Sequence, residues 1–247
     1  MNNTLNTGLR LIEILASSSR PMGITEIAKK ISIGKSNAHR ILQALVEDGY
    51  VLKDDASRTY RASLKIWAVG HSVLMGLNVR TVAPSFMASL LATTRETIVL
   101  SVLDGIEVIY IDKLDSPEAV HIYAPVGQRA PAFCMATGKA LLAYSDAVVV
   151  QASLDSVRNY PGRSMIDPVA FEKKLREIRA SGYAVNPGEW REGAWGVAAP
   201  IFDATGVAVA AIGVSGPQSR ISMNMEKVII PTVIATARNI SNELASG

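Results

Sequence analysis

Three segments with apolar residues at helical spacing, separated by turn-forming residues, make up the first part of the chain. Apolar side chains recur at helical spacing over residues 5–16, 25–31 and 35–47. The inward faces that we expect are Leu5, Leu9, Ile12, Leu15 and Ala16; then Ile27, Ala28 and Ile31; then Ala38, Ile41, Leu42 and Leu45. The segments "SSSRPMG" and "SIG" separate the three helices as turns. Thr25 is a suitable cap for the second helix, and Gly49 a suitable left-handed end for the third.

Two short extended runs follow the third helix, at residues 50–53 and 58–62, and the sequence "DDAS" joins them. This spacing predicts a β-hairpin. A helix, a short helix, a tight turn, a longer helix and a hairpin make up the winged form of the helix-turn-helix, a DNA-binding motif.

The polar side of the third predicted helix carries hydroxyl, amide, imidazole and guanidinium groups. Arginine pairs with guanine, and asparagine or glutamine with adenine, through two hydrogen bonds each. Free amides at the helix start could hold a phosphate, and the wing could lie along the backbone or in the minor groove. The DNA-binding surface that we expect comprises Lys35, Ser36, Asn37, His39, Arg40, Gln43, Arg58 and Tyr60. Arg40 is the strongest candidate for a base contact, and the alternative is an ordinary solvated helix face.

The longer C-terminal part mixes helices with antiparallel strands, which predicts an α+β class. The helices that we expect cover residues 64–77, 78–94, 137–145, 167–182 and 224–244. A hairpin over 97–114 turns at Asp104-Gly105, and further strands are expected at 119–126 and in "YAVNP", "WGVAAPIF" and "VAVAAIGVSG". In the helix at 167–182, Asp167 is the expected cap, Phe171, Leu175 and Ile178 point inward, and Gly182 ends the helix.

Composition adds a charge asymmetry to this picture. Hydrophobic residues make up 49% of the 247 residues, which is enough for a core. Residues 1–65 hold ten Lys/Arg and six Asp/Glu, whereas the rest hold fifteen and sixteen, so a basic front precedes a neutral body. Such a front suits a domain that meets a polyanion. The one cysteine, Cys134, excludes an internal disulfide. The sequence has neither an 18-residue apolar run nor a signal-peptide pattern. We therefore expect a cytoplasmic protein with no membrane partner.

Three blocks of the sequence resemble one family. "LRLIEILASSSRPMGITEIAKKISIGKSNAHRILQALVEDGYV" is similar to the winged-helix domain of IclR-type bacterial transcription regulators. "GQRAPAFCMATGKALLAY" and "IRASGYAVNPGEWREGAWGVAAPIFDATGVAVAAIGVSGP" resemble that family's effector-binding domain. Two departures are Asn37, where members often carry threonine, and "SIG" in place of a Gly-Leu-Pro-type turn. The resemblance covers nearly the whole chain, in the right order.

The resemblance implies three parts: a DNA-binding domain at 1–63, a linker helix at 64–78 that helps to pair two subunits, and an effector-binding and oligomerisation domain at 79–247. For the helix at 64–78, the alternative is a core helix of the last domain. The resemblance also implies a GAF- or PAS-like antiparallel sheet with a pocket on one face. It places effector contacts at Ala136, Thr137, Asn186, Gly196 and Ser215, with Cys134 and Glu189 in loops nearby.

The residues themselves allow an effector class to be proposed. The segment "FCMATGK" brings small residues to a helix start, where backbone amides could hold a carboxylate. Mostly apolar walls suit a small organic acid or an aromatic compound. The alternative is a tight strand-to-helix turn that binds nothing.

An enzyme is the main rival interpretation. Cys134 could be the nucleophile of a hydrolase with His121 as its base, but the three histidines are not clustered and a lone buried thiol is usually inert. Glu189 and Glu192 are explained more simply by a solvated loop than by acid–base catalysis. Metal-ligand spacings are missing, and no cofactor is expected. We therefore predict a non-enzymatic regulator, a homodimer or dimer of dimers, that binds a double-stranded DNA operator under the control of a small-molecule effector.

Overall fold

A computed structural model describes residues 3–160 and 167–246 of the chain. The chain divides into two units, residues 1–76 and 77–247. Each unit has a hydrophobic core of its own. The helix expected as a linker lies inside the first unit.

The first unit contains α1 (Asn3–Ala16), β1 (Met22–Gly23), α2 (Ile24–Lys30), α3 (Lys35–Glu47), β2 (Val51–Asp54), β3 (Thr59–Ala62) and α4 (Leu64–Met75). Its three strands form an antiparallel sheet in the order β1-β3-β2. Gly49 takes the left-handed conformation that was expected after α3, with φ +74°. The order of a winged helix-turn-helix is thus confirmed, with β1 as an additional short strand.

Two local predictions in this unit are wrong. Helix α1 buries Thr7, Gly8, Leu11 and Leu15, whereas Leu5 is 60% exposed. The reason is that the Gly8 side of α1 packs against α3, since a Cβ added at Gly8 would lie 3.6 Å from Ile41 Cγ2, an ordinary contact distance. Leu9, the next residue of the predicted inward face, is also exposed, by 52%.

Thr25 does not cap α2, because the helix begins one residue before it. Gly23 is the N-cap residue, and no side chain caps this helix start. Pairing of Gly23 with Thr59 in the small sheet holds the glycine backbone extended and fixes where the helix can begin.

Helix α4 buries none of its side chains. Its largest exposed apolar residues are Leu64, Trp67, Val69, Val73 and Met75, exposed by between 49% and 81%. A helix with this many exposed apolar side chains is typical of an interaction site. The predicted helix is therefore present, but its apolar spacing does not mark a buried face within the first unit.

The second unit contains α5 (Asn78–Thr94), β4 (Thr97–Asp104), β5 (Glu107–Leu114), β6 (Arg129–Pro131), α6 (Ala136–Leu142), α7 (Ala147–Asp155), α8 (Pro168–Ser181), β7 (Ala184–Pro187), β8 (Ala194–Phe202), β9 (Ala208–Pro217), α9 (Gln218–Asn224) and α10 (Ile230–Ser246). A 3₁₀ turn at Ala132–Cys134 precedes α6, and a π-helical turn at Met225–Ile229 separates α9 from α10. The six strands form one antiparallel sheet in the order β6-β5-β4-β9-β8-β7. The predicted α+β class is confirmed.

Helix α6 lies directly on the sheet because small residues occupy the contact. A Cβ added at Gly213 of β9 would lie 3.0 Å from Thr137 Cγ2 of the helix. A Cβ added at Gly138 would lie 2.2 Å from the carbonyl oxygen of Ala132. Every residue of α6 is buried, so the helix is held firmly against the strands that it covers.

The strand predicted at residues 119–126 is absent. Side chains, rather than a neighbouring strand, bind its backbone: Arg220 donates to the Val120 carbonyl at 2.8 Å, and Thr97 donates to the Ile122 carbonyl at 3.3 Å. Ala124 packs in a cluster with Val99. This cover segment, residues 119–126, therefore lies over the sheet in an irregular conformation and does not extend the sheet's edge.

Candidate nucleic-acid interface and ligand cavity

The polar side of α3 is fully accessible. Ala38, Ile41 and Leu42 are buried, and the predicted contact residues of this helix are all exposed: Lys35, Ser36, Asn37, His39, Arg40 and Gln43. Gly34 is the N-cap residue, and no side chain occupies the first-turn amides of α3. This helix start therefore offers amide donors to a phosphate group.

The side chains on this surface bind each other only through exposed hydrogen bonds. The Arg40 guanidinium donates to Asn37 Oδ1 at 3.2 Å and to Thr4 Oγ1 at 3.4 Å. Gln43 donates to Glu47 Oε1 at 3.2 Å. Exposed bonds of this kind are readily exchanged for water or for a partner's groups. Arg40 and Asn37 are thus held side by side, and both can exchange these hydrogen bonds for contacts with a partner.

The wing has an ordered tip. Asp54 accepts hydrogen bonds from the Ala56 amide at 2.9 Å and from the Ser57 hydroxyl at 2.7 Å. These bonds lower the pKa of Asp54, the Ser57 hydroxyl contributing most. Arg58 follows with an exposed side chain and a left-handed backbone, φ +54°.

Tyr60 corrects the predicted DNA-binding set. Its side chain is only 5% exposed and belongs to the core cluster of the first unit, with Leu11, Met22 and Val51. Because neighbouring residues of a strand point to opposite faces, it is Arg61 that is exposed. The ring of Tyr60 stabilises the wing from within and is not presented on its surface.

In the second unit, the sheet register brings three predicted effector residues into one row. Asn186 of β7 pairs with Gly196 of β8, which pairs with Ser215 of β9, which pairs with Thr97 of β4. Directly paired residues share a face of the sheet. Ala136 lies above this row, since a Cβ added at Gly196 would be 3.7 Å from Ala136 Cβ.

A small cavity of about 30 Å³ lies at this row. Its walls come from β5, the cover segment, the start of α6, and the loop between β7 and β8. The lining residues are Tyr110, Ile122, Tyr123, Ala124, Gln128, Met135, Asn186, Trp190, Arg191, Ala194 and Ser215. This space holds about one water molecule and is far below the volume of an organic ligand site.

Five of the seven predicted effector residues do not line the cavity: Cys134, Ala136, Thr137, Glu189 and Gly196. Thr137 is buried beside Gly213, and its hydroxyl has no hydrogen-bond partner among the described residues. Gly196 lies against Ala136, at the contact between the sheet and the start of α6. Cys134 is 2% exposed in the core of the unit, where its thiol lies 3.5 Å from the Pro131 carbonyl.

Glu189 lies in the loop between β7 and β8, but its carboxylate is bound to Lys139 of α6. The Lys139 ammonium lies 2.6 Å from Glu189 Oε1, and the lysine side chain is only 3% exposed. Burial lowers the pKa of Lys139, and the charge and hydrogen bond of Glu189 oppose this shift. The amide of Glu189 also donates to Asn186 Oδ1 at 2.7 Å. The loop is thereby tied to both the helix and the sheet.

Sequence reasoning missed Tyr110, Trp190 and Arg191 of the cavity wall. Burial raises the pKa of Tyr110 to about 12, and the positive charge of Arg191 opposes this shift. Tyr110 lies on β5 at the position paired with Ser101. No signal in the sequence distinguishes it from other strand residues, because the packing of Tyr110 against Ala124 of the cover segment depends on the whole fold.

The hydrolase alternative is not supported by the structure. The buried Cys134 thiol contacts a backbone carbonyl, whereas His121 is exposed and its Nδ1 lies 3.0 Å from the Glu118 carbonyl oxygen. Within residues 3–160 and 167–246, no cluster of His, Cys, Asp and Glu side chains could hold a metal ion. In the same ranges no single helix is long and apolar enough to cross a membrane. Helices α4 and α5 meet the length and apolarity criteria only when taken together, and a break in the helix separates them.

Comparison with known proteins identifies the family. Residues 71–242 match the family described as bacterial transcriptional regulator IclR, C-terminal, and residues 4–55 match the IclR helix-turn-helix domain. The chain is 31% identical to the HTH-type transcriptional regulator KdgR of Dickeya chrysanthemi, over 98% of this chain and 81% of the relative. It is 30% identical to KdgR of Escherichia coli, over 98% of this chain and 94% of the relative.

Solved structures agree over the full length. The crystal structure of Thermotoga maritima IclR superposes with a TM-score of 0.76 at 26% identity, covering 99% of this chain and 100% of that one. An IclR homolog from Microbacterium hydrocarbonoxydans, complexed with 4-hydroxybenzoate, superposes with a TM-score of 0.81 at 26% identity, covering 99% and 100%. The winged helix-turn-helix, the six-stranded sheet and both family matches lead to one conclusion: this chain belongs to the IclR family of transcriptional regulators and is a DNA-binding regulator with an effector domain.

Proposed function

We propose that this regulator reads its DNA through the exposed side of α3 and that a small organic ligand in the second unit controls this binding. The observation that carries the proposal is the Arg40–Asn37 pair, which is exposed, preoriented by a 3.2 Å hydrogen bond and placed one turn inside a helix of helix-turn-helix topology. Both side chain types make two-point contacts with bases in the major groove.

Within this surface the residues have different proposed tasks. Lys35, Ser36 and the free amides of the first turn would contact phosphates, which set position without reading sequence. Asn37, Arg40 and Gln43 would contact base edges. The remaining predicted residues, His39 and Arg58, would contact the flanking backbone.

A second copy of the chain is part of the proposal. Helix α4 exposes a tryptophan and several aliphatic side chains and buries nothing. Association of two α4 helices would cover this surface and present two α3 helices to two half-sites of an operator. We therefore expect a homodimer or a dimer of dimers, working in the bacterial cytoplasm where the operator is.

Control by a ligand is supported by the cavity at the Asn186–Gly196–Ser215 row and by the ligand-bound Microbacterium homolog. A ligand can shift DNA binding only if it binds one arrangement of the protein better than another. At about 30 Å³ the cavity is closed to organic molecules, so the ligand-bound arrangement must differ from this one.

The experiment is fluorescence anisotropy with duplex DNA across a salt series, using fragments selected by the protein from its genome. Wild type should form a sequence-specific complex whose affinity falls steeply with salt. Arg40→Ala should weaken that complex by about 1–3 kcal/mol and relax the preference at one base position. Arg238→Ala is the matched control, because Arg238 is an exposed arginine on α10 of the second unit.

Two results would overturn the assignment. One is a wild-type protein that binds all duplexes equally, even after genomic selection. The other is an Arg40→Ala variant that keeps both the affinity and the base preference of wild type and of Arg238→Ala.

A further inference from the structure

The cover segment is the least firmly held wall of the ligand cavity. Among residues 119–126, all of which the structure describes, Ala124 alone is buried, and Val120 and Tyr123 are 68% and 64% exposed. The segment also lies outside the strand ladder of the sheet. A stretch of chain with so few buried apolar contacts opens at a low free energy.

The other walls of the cavity are fixed by stronger contacts. The strands belong to the six-stranded sheet, and every residue of α6 is buried. The loop between β7 and β8 is tied to α6 through the Lys139–Glu189 pair and to the sheet through Asn186, whose Oδ1 accepts from the Glu189 amide. Since a cavity of about 30 Å³ must change to admit an organic ligand, the cover segment is the wall whose movement disturbs the fold least.

Three consecutive residues at the junction of α5 and β4 contact the cover segment or the residues just before it. Arg95 ends the helix with a left-handed backbone, φ +57°, and its carbonyl accepts from the Ser116 hydroxyl at 2.6 Å. Thr97 donates to the Ile122 carbonyl at 3.3 Å. Glu96 lies between Arg95 and Thr97 and is only 4% exposed. The attachments of the segment therefore surround a buried carboxylate.

Arg220 of α9 joins this carboxylate to the cover segment. Its Nε lies 2.5 Å from Glu96 Oε1 and its Nη2 lies 2.8 Å from Glu96 Oε2, which is the two-point geometry of a strong ion pair. The same Nη2 donates to the Val120 carbonyl at 2.8 Å. Space for the carboxylate depends on Gly216 of β9, where an added Cβ would collide with Glu96 Oε2. The buried Glu96 thus fixes the orientation of the guanidinium that binds the segment.

We propose that Arg220 and Glu96 form a latch that holds the cover segment closed and thereby controls access to the cavity. This rests on the proposed function of the cavity as the effector site. The ion pair can persist while the segment moves, because the bond to the Val120 carbonyl is an additional bond made by the same nitrogen. Neither Arg220 nor Glu96 lines the cavity, so both are positioning residues and not ligand contacts.

Thiol labelling measures the opening of the segment without any ligand. Ala124→Cys places a thiol at the buried position of the cover segment, beside the cavity, which can take the added sulfur. The probe is iodoacetamide at neutral pH, and mass spectrometry of peptides gives the labelling rate at each thiol. Iodoacetamide reacts slowly, so its rate reports the fraction of molecules in which the segment is open. It must also reach the cavity wall to react, so it measures access to the cavity.

Two variants in the Ala124→Cys background weaken the latch in different ways. Arg220→Lys keeps a positive charge opposite Glu96 but removes the planar fork that reaches the segment. It should accelerate labelling of the introduced thiol by roughly tenfold, the effect of losing one hydrogen bond from a charged group. Glu96→Gln removes the charge that orients the guanidinium and should also accelerate this labelling. The matched control is Arg176→Lys, since Arg176 pairs with Glu172 on α8, and this variant should label as the parent does.

Cys134 is the internal control for folding. It is 2% exposed in the core of the same unit, so general destabilisation by Arg220→Lys would accelerate its labelling as well. Faster labelling of the introduced thiol, with an unchanged rate at Cys134, supports the latch. An unchanged rate at the introduced thiol overturns it, and so does equal acceleration at both thiols, which would make the ion pair a general support of the unit.

Operator binding by wild type, measured alongside, separates this failure from the wider one. Specific DNA binding without local acceleration in Arg220→Lys overturns only the latch. Absence of specific DNA binding by wild type overturns the proposed function, whatever the labelling rates.

Discussion

The Lys139–Glu189 pair gives a prediction about stability whose sign depends on which partner is removed. The lysine side chain is 3% exposed and the glutamate side chain 39% exposed. Glu189→Gln leaves a buried ammonium without its counter-charge, whereas Lys139→Met leaves a carboxylate that water can still reach. Breaking a fully buried pair costs about 3–5 kcal/mol, so we expect about 2–3 kcal/mol for Glu189→Gln and about 0–1 kcal/mol for Lys139→Met, the smaller values reflecting the exposure of Glu189.

The pH dependence of this loss provides an independent check. Burial already lowers the pKa of Lys139 below its ordinary 10.5, and removal of Glu189 removes the influence that opposes this shift. Between the lowered folded pKa and 10.5 the unfolded chain binds more protons than the folded one, so stability rises with pH. The deficit of Glu189→Gln should therefore shrink as pH rises from neutral towards 10.5, and Lys139→Met should show no such recovery.

Urea denaturation followed by tryptophan fluorescence measures both quantities. In a Trp67→Phe background the remaining tryptophans, Trp190 and Trp195, both report on the second unit. A larger loss for Lys139→Met than for Glu189→Gln, or a Glu189→Gln deficit that is the same at neutral and alkaline pH, would refute the reasoning from burial.

Three other substitutions test the packing described above. Gly138→Ala places a Cβ 2.2 Å from the backbone oxygen of Ala132, so thermal denaturation should show a loss of about 3 kcal/mol, whereas Gly70→Ala, with nothing within 4 Å, should be neutral or stabilising. Thr137→Val removes a buried hydroxyl without a described partner and should stabilise the second unit by about 1 kcal/mol in urea denaturation; a loss would show that the hydroxyl is satisfied. Val73 on α4 is 70% exposed, so Val73→Glu should leave the fold intact but shift the sedimentation coefficient towards that of the monomer. An unchanged oligomer would show that this face of α4 is not the subunit interface.

Much of the fold follows from local sequence patterns. Helix α8 has the predicted cap at Asp167 and the predicted end at Gly182, and the hairpin turns where Asp104-Gly105 places it. In each case the deciding interactions lie within a few residues of one another. The pairing of β8 with β9 likewise follows from the two apolar runs that flank the "DATG" turn.

Other features depend on partners distant in the chain. Helix α1 packs against α3 through the face that carries Gly8, Leu11 and Leu15, and this contact leaves Leu5 and Leu9 exposed. The helical pattern alone is compatible with either choice.

The candidate ligand site shows the same limit. Lys139 and Glu189 lie fifty positions apart and form a pair only once α6 lies on the sheet. Tyr110, Trp190 and Arg191 are far apart in the sequence and meet at one cavity only in the folded chain. Resemblance to a family identified the cross-strand row, but the walls of the cavity had to be determined from the fold.

The contrast between the tightly seated α6 and the loop between β7 and β8 has a consequence for how such a sensor can change over generations. The packing of α6 allows almost no substitution at Gly138, because even one methyl group there would collide with the Ala132 backbone. Several of the residues that line the cavity lie on the cover segment and the loop between β7 and β8, where substitution costs the fold little. With the proposed effector site, a lineage can change the ligand that is bound without changing the scaffold, and a biosensor library should randomise Ile122, Tyr123, Trp190 and Arg191 and leave α6 unchanged.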